Sequence, residues 1–159
     1  MGEFLNHYSF LMTMVFLWAL AAWQLLRKDR NQQRWLVFGG ITVVLLLGYL
    51  VLRPAQATNA DAEGIRAQIG AGQPVLLEFQ SRNCMGCVAA KPIVEGLEKE
   101  LAGKLVVLRV DVDSPAGRAL TKQYGSRVTP TFIFFTPEGE EAWRQFGGLD
   151  ANKVRASLP

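Results

Sequence analysis

Two long apolar stretches without a charged side chain lie in the first third of this 159-residue chain. Residues 8–26 form an uncharged run of 19 residues, and residues 35–52 form one of 18. At about 1.5 Å of rise per residue, a helix of either length spans roughly the 30 Å hydrocarbon core of a bilayer. A buried core helix is the alternative, but polar residues do not recur in these runs at helical spacing. We therefore predict a membrane anchor over residues 1–53, with transmembrane helices at about 8–26 and 35–52.

The connector between the two stretches indicates how the anchor is oriented. The sequence RKDRNQQR, residues 27–34, holds four basic residues in eight positions, whereas only Arg53 follows the second stretch. Short loops rich in Lys and Arg stay in the cytoplasm. A two-pass protein of the plasma (inner) membrane is therefore predicted, with both termini on the extracytoplasmic side, which is periplasmic or lumenal. The small residues around Gln56 resemble a signal-peptidase site, so cleavage there is the alternative to a retained anchor.

The net charge of +3 belongs entirely to the anchor segment. Residues 1–53 hold five basic and two acidic side chains, while residues 54–159 hold twelve of each. The larger part of the chain has no basic excess that would attract phosphate groups. Nucleic acid is therefore not expected as a partner.

After a short polar linker at residues 54–60, residues 61–159 alternate between helix and strand patterns. Apolar runs at residues 74–80, 104–113 and from 131 onward have the character of strands, and a short strand is predicted at 142–146. Helix-start signals precede the segments between them, and the predicted order is α-β-α-β-α-β-β-α. The βαβ unit requires parallel strands, and the last two strands form a hairpin. The fold class is therefore predicted to be α/β, with a mixed sheet and flanking helices.

The only two cysteines, Cys84 and Cys87, stand in the stretch NCMGC directly after the first predicted strand. A zinc site needs four ligands, and His7 is the only histidine. A c-type haem site needs a histidine after the second cysteine, where Val88 stands. A structural disulfide across so short a loop would stabilise the chain little. The pattern therefore predicts a redox-active disulfide, Cys84–Cys87, with no metal and no other cofactor.

Further motifs accompany the cysteine pair in a recognisable order. The pair follows the strand VLLEFQ, Pro92 lies five residues after Cys87, and YGSRVTPT at residues 124–131 precedes a hydrophobic strand. With these motifs, residues 61–159 resemble a thioredoxin-like domain. The resemblance implies the thioredoxin-like fold, with Pro130 in the cis form beside the cysteines. Together with the anchor, it makes the chain similar to the membrane-tethered thioredoxin-like proteins of cytochrome c maturation and of the thylakoid lumen.

Four features depart from the thioredoxin pattern. Asn83 replaces the tryptophan before the first cysteine, and Met85-Gly86 replaces glycine-proline between the cysteines. Glu78 stands in place of an aspartate on the first strand, and Arg109 in place of a lysine on the next. These differences leave the reduction potential, the direction of electron flow and the partner open.

The two cysteines are expected to have different roles. Unpaired N–H groups and the helix dipole at a helix start stabilise a thiolate, so Cys84 is expected to attack a partner disulfide. Cys87 lies one turn inside and is expected to be the more buried, and it would resolve the mixed disulfide. Gly86 adds backbone freedom, and Met85 offers an apolar contact to the partner.

Two further groups are expected to assist the pair. Glu78 is the candidate proton acceptor for Cys87, because burial raises the pKa of a carboxyl; an ion pair with Arg109 and no catalytic role is the alternative. Thr129 and Pro130 would offer backbone groups to an incoming peptide as a short strand. The charged residues 95–100 are expected on a solvated helix face.

Two functions fit this sequence. The first is a membrane-anchored thiol–disulfide oxidoreductase that acts on the thiols or disulfides of extracytoplasmic proteins. The alternative is an accessory or structural thioredoxin-fold subunit of a larger membrane complex, such as an electron-transfer complex, whose other subunits would be its partners. In both cases the lipid bilayer holds residues 1–53.

Overall fold

The computed structural model describes residues 2–26, 32–52 and 56–159. The basic connector at 27–34 and the linker at 54–60 fall partly outside these ranges, at residues 27–31 and 54–55. Two long helices occupy the apolar part of the chain: α1 (Gly2–Leu26) and α2 (Gln32–Leu52). The helical form of both uncharged stretches is therefore confirmed.

Helices α1 and α2 contact each other through polar and aromatic side chains. Trp18 Nε1 donates a hydrogen bond to Thr42 Oγ1 at 3.2 Å, and the Trp18 and Phe38 ring centroids lie 5.5 Å apart. Apolar side chains such as Phe16 and Leu36 are exposed on these helices. Among the residues that the structure describes, no helix combines the length and the apolar character needed to cross a bilayer. The two transmembrane spans therefore stay a prediction.

The rest of the chain follows the predicted alternation of helices and strands. All four of its helices begin at capping residues whose side chains accept a backbone N–H of the first turn: Asp61, Cys84, Ser114 and Asp150. The elements are α3 (Ala62–Gln68), β1 (Val75–Gln80), α4 (Met85–Glu100), β2 (Val106–Asp111), α5 (Pro115–Tyr124), β3 (Thr131–Phe135), β4 (Glu141–Phe146) and α6 (Ala151–Ala156).

The four strands form one mixed sheet in the order β2-β1-β3-β4. β1 and β2 are parallel, as the βαβ unit requires, and β3 is antiparallel to both β1 and β4. β1 and β3 are buried along their whole length, in keeping with their continuous apolar sequences. The predicted α/β fold with a mixed sheet and flanking helices is confirmed.

The sheet separates two hydrophobic cores. Leu77 and Phe79 on one face of β1 belong to the core that α3 and α5 cover, whereas Leu76 on the other face belongs to the core beneath α4 and α6. Because side chains alternate along a strand, Glu78 shares the face of Leu76. Its carboxyl is therefore placed in the layer between the sheet and α4.

The end of the predicted linker pairs with the edge of the sheet. Thr58 N donates to the Arg109 carbonyl at 2.8 Å, and Arg109 N donates to Thr58 Oγ1 at 2.9 Å. Arg109 belongs to the edge strand β2, which has backbone groups to satisfy on its outer side. The chain is therefore attached to the sheet at Thr58, ahead of α3.

Candidate functional site

Cys84 and Cys87 lie at the first turn of α4, directly after β1. Cys84 is the N-cap residue, and its Sγ accepts a hydrogen bond from Cys87 N at 3.3 Å. This bond satisfies one of the N–H groups that the start of a helix leaves unpaired. The position predicted for Cys84 is confirmed, and both cysteines are free thiols. The role of Cys84 as the attacking residue stays a prediction.

Both cysteines are closed to solvent. Each residue is 1% exposed, so the predicted difference in burial does not show in their solvent exposure. Cys84 is covered because it lies against the loop before β3, where its Sγ donates to the Thr129 carbonyl at 3.3 Å. The difference between the two sulfurs therefore lies in their hydrogen bonds.

Those hydrogen bonds favour the thiolate form of one sulfur and the thiol form of the other. A hydrogen bond with the Cys87 side chain is the main cause that lowers the pKa of Cys84 to about 6. The Thr129 side chain and the Cys87 and Gly86 N–H groups lower it further, against the effect of burial. The same bond raises the pKa of Cys87, and burial and the negative charge of Cys84 raise it further. A Cys84 thiolate and a Cys87 thiol therefore coexist near neutral pH.

Glu78 lies beneath the cysteines with only 2% of its side chain exposed. Burial raises its pKa to about 7; the nearby Arg109 opposes this shift, and the negative charges of Cys84 and Glu98 add to it. Arg109 Nε lies 3.6 Å from Glu78 Oε2, so the ion pair of the alternative interpretation is present. Because burial outweighs that ion pair, the carboxyl gains and loses its proton near neutral pH.

The peptide bond between Thr129 and Pro130 is cis, as the resemblance implied. Pro130 packs against the turn between the cysteines, where a Cβ added to Gly86 would lie 2.9 Å from Pro130 Cδ and 3.8 Å from Cys84 Sγ. Gly86 was expected to add backbone freedom. The structure instead shows a steric reason for glycine at position 86, since a side chain there would push the Pro130 ring away.

Two backbone carbonyls of the predicted peptide-binding loop already accept hydrogen bonds from within the chain. The Thr129 carbonyl accepts the Cys84 thiol, and the Pro130 carbonyl accepts a hydrogen bond from Gly147 N at 2.9 Å. Proline has no N–H to donate. Met85 is exposed, as a contact residue must be. Partner binding by Thr129, Pro130, Met85 and Gly86 stays a prediction.

Two charged contacts, one in the loop before Cys84 and one beside Glu78, were not predicted. Arg82 Nε forms an ion pair with Asp111 Oδ2 at 2.8 Å, which ties the loop before α4 to the end of β2. Glu98, expected on a solvated face, is half-exposed and binds Arg109 at 2.8 Å. Eleven residues separate Glu98 from Cys87, which is about three helical turns, so both lie on one face of α4. The spacing in the sequence therefore already indicated that Glu98 lies on the same face of α4 as Cys87.

The reactive groups of the site are two sulfurs and one carboxyl. Within the described ranges, no cluster of three or more His, Cys, Asp or Glu side chains is placed to hold a metal ion. A thiolate beside a thiol forms and breaks disulfides through a mixed-disulfide intermediate. The arrangement therefore fits thiol–disulfide exchange.

A family profile described as a thioredoxin-like domain matches residues 62–159. The chain belongs to the thioredoxin-like domain family. The match starts at the first residue of α3 and includes the whole sheet and both cysteines. A thioredoxin-like domain with this cysteine pair is a redox protein, and the thiols or disulfides of other proteins are what thioredoxins act on.

Known proteins similar to this thioredoxin-like chain agree with the family match. Thioredoxin C-2 of Corynebacterium nephridii is 33% identical over 105 residues, which is 65% of this chain and 94% of that protein. The chloroplastic M-type thioredoxin of Pisum sativum is 30% identical over 130 residues, covering 77% of this chain and 74% of that protein. The structure of a mutant thioredoxin from Halobacterium salinarum matches with a TM-score of 0.53 at 24% identity, over 67% of this chain and 88% of that one. This structural likeness shows the fold alone.

Proposed function

We propose that this chain is a membrane-anchored thiol–disulfide oxidoreductase that exchanges disulfides with extracytoplasmic proteins through Cys84 and Cys87. The observation that carries the proposal is a pair of buried thiols at the start of α4, whose hydrogen bonds lower the pKa of Cys84 and raise that of Cys87. A thiolate with a lowered pKa attacks a disulfide at neutral pH, while the protonated second thiol does not compete with it.

In the reducing direction, the Cys84 thiolate attacks one sulfur of a partner disulfide. A bond forms between Cys84 and that sulfur, and the partner's other sulfur leaves as a thiolate. Cys87 then gives its proton to Glu78 and attacks Cys84, so that the Cys84–Cys87 disulfide forms and the partner's first sulfur leaves. Two electrons pass to the partner, whose two thiolates take up protons from solvent. The reverse sequence oxidises a partner dithiol.

The proposal places both termini and residues 56–159 on the periplasmic or lumenal side of a plasma (inner) membrane. Two uncharged stretches and the basic connector between them support a two-pass anchor. The apolar side chains exposed on α1 and α2 support it as well, because lipid covers such surface more favourably than water does. They include Val15, Phe16, Leu36 and Val44.

A second candidate function is an accessory subunit of a larger membrane complex, such as an electron-transfer complex. The burial of both sulfurs favours it, because a partner must displace the loop at Thr129 before it reaches Cys84. In such a subunit, redox activity would be secondary, and neighbouring subunits would cover part of α1 and α2.

A disulfide-exchange assay on the full chain in mild detergent separates the two functions. We expect the wild-type chain to reduce the disulfides of insulin and the Cys84→Ser variant to be inactive, because it lacks the attacking sulfur. The Cys87→Ser variant should accumulate a mixed disulfide that survives on a non-reducing gel. A folded wild-type chain without exchange activity would contradict the enzyme and favour the accessory subunit.

Thiol labelling in intact cells tests the orientation. The probe is a single cysteine, Gly96→Cys, in a chain that also carries Cys84→Ser and Cys87→Ser; position 96 is exposed and has open space around it. A membrane-impermeant maleimide should label this cysteine before lysis. Labelling only after lysis would contradict the proposed orientation.

A further inference from the structure

We propose that Glu98 is a positioning residue for Glu78: it holds the terminal nitrogens of Arg109 away from Glu78 and so keeps the Glu78 carboxyl available for the proton of Cys87. The role assigned to Glu98 rests on the proposed function, in which Glu78 takes up the proton of Cys87. The geometry that carries it stands on four side chains of the described structure.

Arg109 directs its two terminal nitrogens to Glu98. Arg109 Nη2 donates to Glu98 Oε2 at 2.8 Å, and Nη1 donates to Glu98 Oε1 at 3.4 Å. Two parallel N–H···O bonds to one carboxylate are the preferred geometry of a guanidinium. The fork of Arg109 is therefore already occupied on the side that faces α4.

Glu78 faces the Nε of the same guanidinium. Arg109 Nε lies 3.6 Å from Glu78 Oε2, beyond the usual range for an N–H···O hydrogen bond. Among the described residues, Arg109 Nε is buried and has no hydrogen-bond partner. Glu78 therefore receives the charge of Arg109 at a distance but none of its hydrogen bonds.

Glu98 and Glu78 compete for Arg109, and their different exposure favours Glu98. About 45% of the Glu98 side chain is exposed, against 2% for Glu78. Water solvates an ionised Glu98, so it keeps its charge and its hold on Arg109, whereas burial opposes charge on Glu78. Without Glu98, the Arg109 guanidinium would turn its terminal nitrogens toward Glu78 and form an ion pair with the Glu78 carboxylate. Glu78 would then stay ionised near neutral pH and would no longer take up a proton there.

The charged and titratable groups around Glu78 come from two elements of the fold. Arg109 approaches from β2, while Glu98 and the sulfurs of Cys84 and Cys87 approach from α4 and its N-cap. From β3, the residue paired with Glu78 is the apolar Phe132. Arg109 is thus the only cation in this set. Glu98, which binds the terminal nitrogens of Arg109, therefore determines how strongly Arg109 favours the ionised form of Glu78.

The direct test is the titration of Glu78 in the reduced full chain in detergent. Infrared difference spectra identify the band of its protonated carboxyl by comparison with Glu78→Gln. In the wild-type chain we expect the midpoint near pH 7. In Glu98→Gln, the released Arg109 should lower the midpoint by roughly one to two pH units, the size of shift that a close opposite charge produces.

A matched control exists on the same helix. Glu100 forms a bidentate ion pair with Arg155, with both N–O distances at 2.8 Å, and has no contact with Arg109 among the ion pairs of the described residues. Glu100→Gln removes the same charge and the same type of pair from α4. It should leave the Glu78 midpoint unchanged, so a shift equal to that of Glu98→Gln would overturn the proposal.

A second comparison separates the release of Arg109 from the mere loss of a negative charge. In an Arg109→Met background, Glu98→Gln should shift the Glu78 midpoint much less, because no guanidinium remains to be released. The same shift in both backgrounds would overturn the proposal. If Arg109→Met does not fold, the comparison of Glu98→Gln with Glu100→Gln decides alone, and an unchanged midpoint in Glu98→Gln overturns the proposal.

These readouts are independent of activity. If the wild-type chain exchanges no disulfide, the proposed function fails, yet the titration of Glu78 still tests the role of Glu98. If exchange occurs, the rate at which the mixed disulfide is resolved should follow the Glu78 midpoint in pH, and Glu98→Gln should move both curves together.

Discussion

At the scale of single residues, the hydrogen bond between the two sulfurs sets the cysteines apart, because Cys84 accepts it as a thiolate and the Cys87 thiol donates it. Cys84 Sγ accepts from Cys87 N at 3.3 Å, and its bond with the Cys87 side chain is the main cause of its lowered pKa. The nucleophilicity of Cys84 at neutral pH therefore depends on Cys87, in the first turn of the helix, as much as on the helix start. Substitution of Cys87 separates the two contributions.

Cys87→Ala should raise the pKa of Cys84 from about 6 toward its usual value of about 8.5, because the alanine cannot donate a hydrogen bond to the thiolate. Cys87→Ser should raise it less, because a hydroxyl still donates. The measurement is the pH dependence of the alkylation of Cys84 by iodoacetamide in each variant. An unchanged midpoint in Cys87→Ala would contradict the role of the Cys87 side chain and leave the lowered pKa to the helix start and Thr129.

The sequence identified the cysteines and Glu78 but not the groups that cover or tune them. A CxxC directly after an apolar strand places Cys84 at a helix start by local chain geometry alone. The contact of Cys84 with Thr129, 45 residues along the chain, depends on how the β1–β3 pair brings two loops together. The reach of Glu98 to Arg109 likewise needs the packing of α4 over β2, which periodicity does not specify.

At the scale of elements, α5 lies very close to the end of β2. A Cβ added to Gly117 of α5 would lie 1.9 Å from the Asp111 carbonyl oxygen and 2.9 Å from Val112 Cα. Both atoms belong to the backbone, so no side-chain rotation relieves the overlap and the helix must move. We expect Gly117→Ala to lower the free energy of unfolding by roughly 1–3 kcal/mol, the usual effect of overpacking.

Gly96→Ala is the matched control for that substitution. Gly96 lies inside helix α4, is exposed, and has nothing within 4 Å of its added Cβ. Alanine is preferred over glycine within a helix by about 0.5–1 kcal/mol, so this variant should be more stable than the wild-type chain. Pulse proteolysis of the full chain in urea measures both. A loss of stability in both variants would contradict the steric argument for Gly117.

The elements themselves were predictable where burial is continuous. β1 and β3 are apolar along their length because both faces are covered, and the sequence predicted both strands. The attachment of Thr58 to β2 was not predictable, because the backbone groups of an edge strand pair with whatever segment the fold brings there. No residue type in the polar linker indicates that pairing.

At the scale of the whole molecule, the buried carboxyl of Glu78 lowers the free energy of unfolding of the folded chain. Burial raises the pKa of Glu78 from 4.5 to about 7 in the folded chain. Below the ordinary pKa both the folded and the unfolded states hold the proton, so no penalty arises. Between the two values the folded state keeps a proton that the unfolded state has released, so the free energy of unfolding falls as pH rises. Above about pH 7 the penalty is constant, on the order of 3 kcal/mol.

Glu78→Gln removes that titration and allows the penalty to be measured. The free energy of unfolding of the variant, relative to the wild-type chain, should increase by on the order of 3 kcal/mol between about pH 4.5 and about pH 8, because glutamine has no proton to lose. Pulse proteolysis in urea under reducing conditions gives both curves. The control is Glu100→Gln on the surface of α4, whose curve should run parallel to that of the wild-type chain over the same range. Parallel curves for Glu78→Gln as well would mean that the folded chain ionises this carboxyl at its ordinary pKa, and Glu78 would then have no proton to exchange with Cys87 at neutral pH.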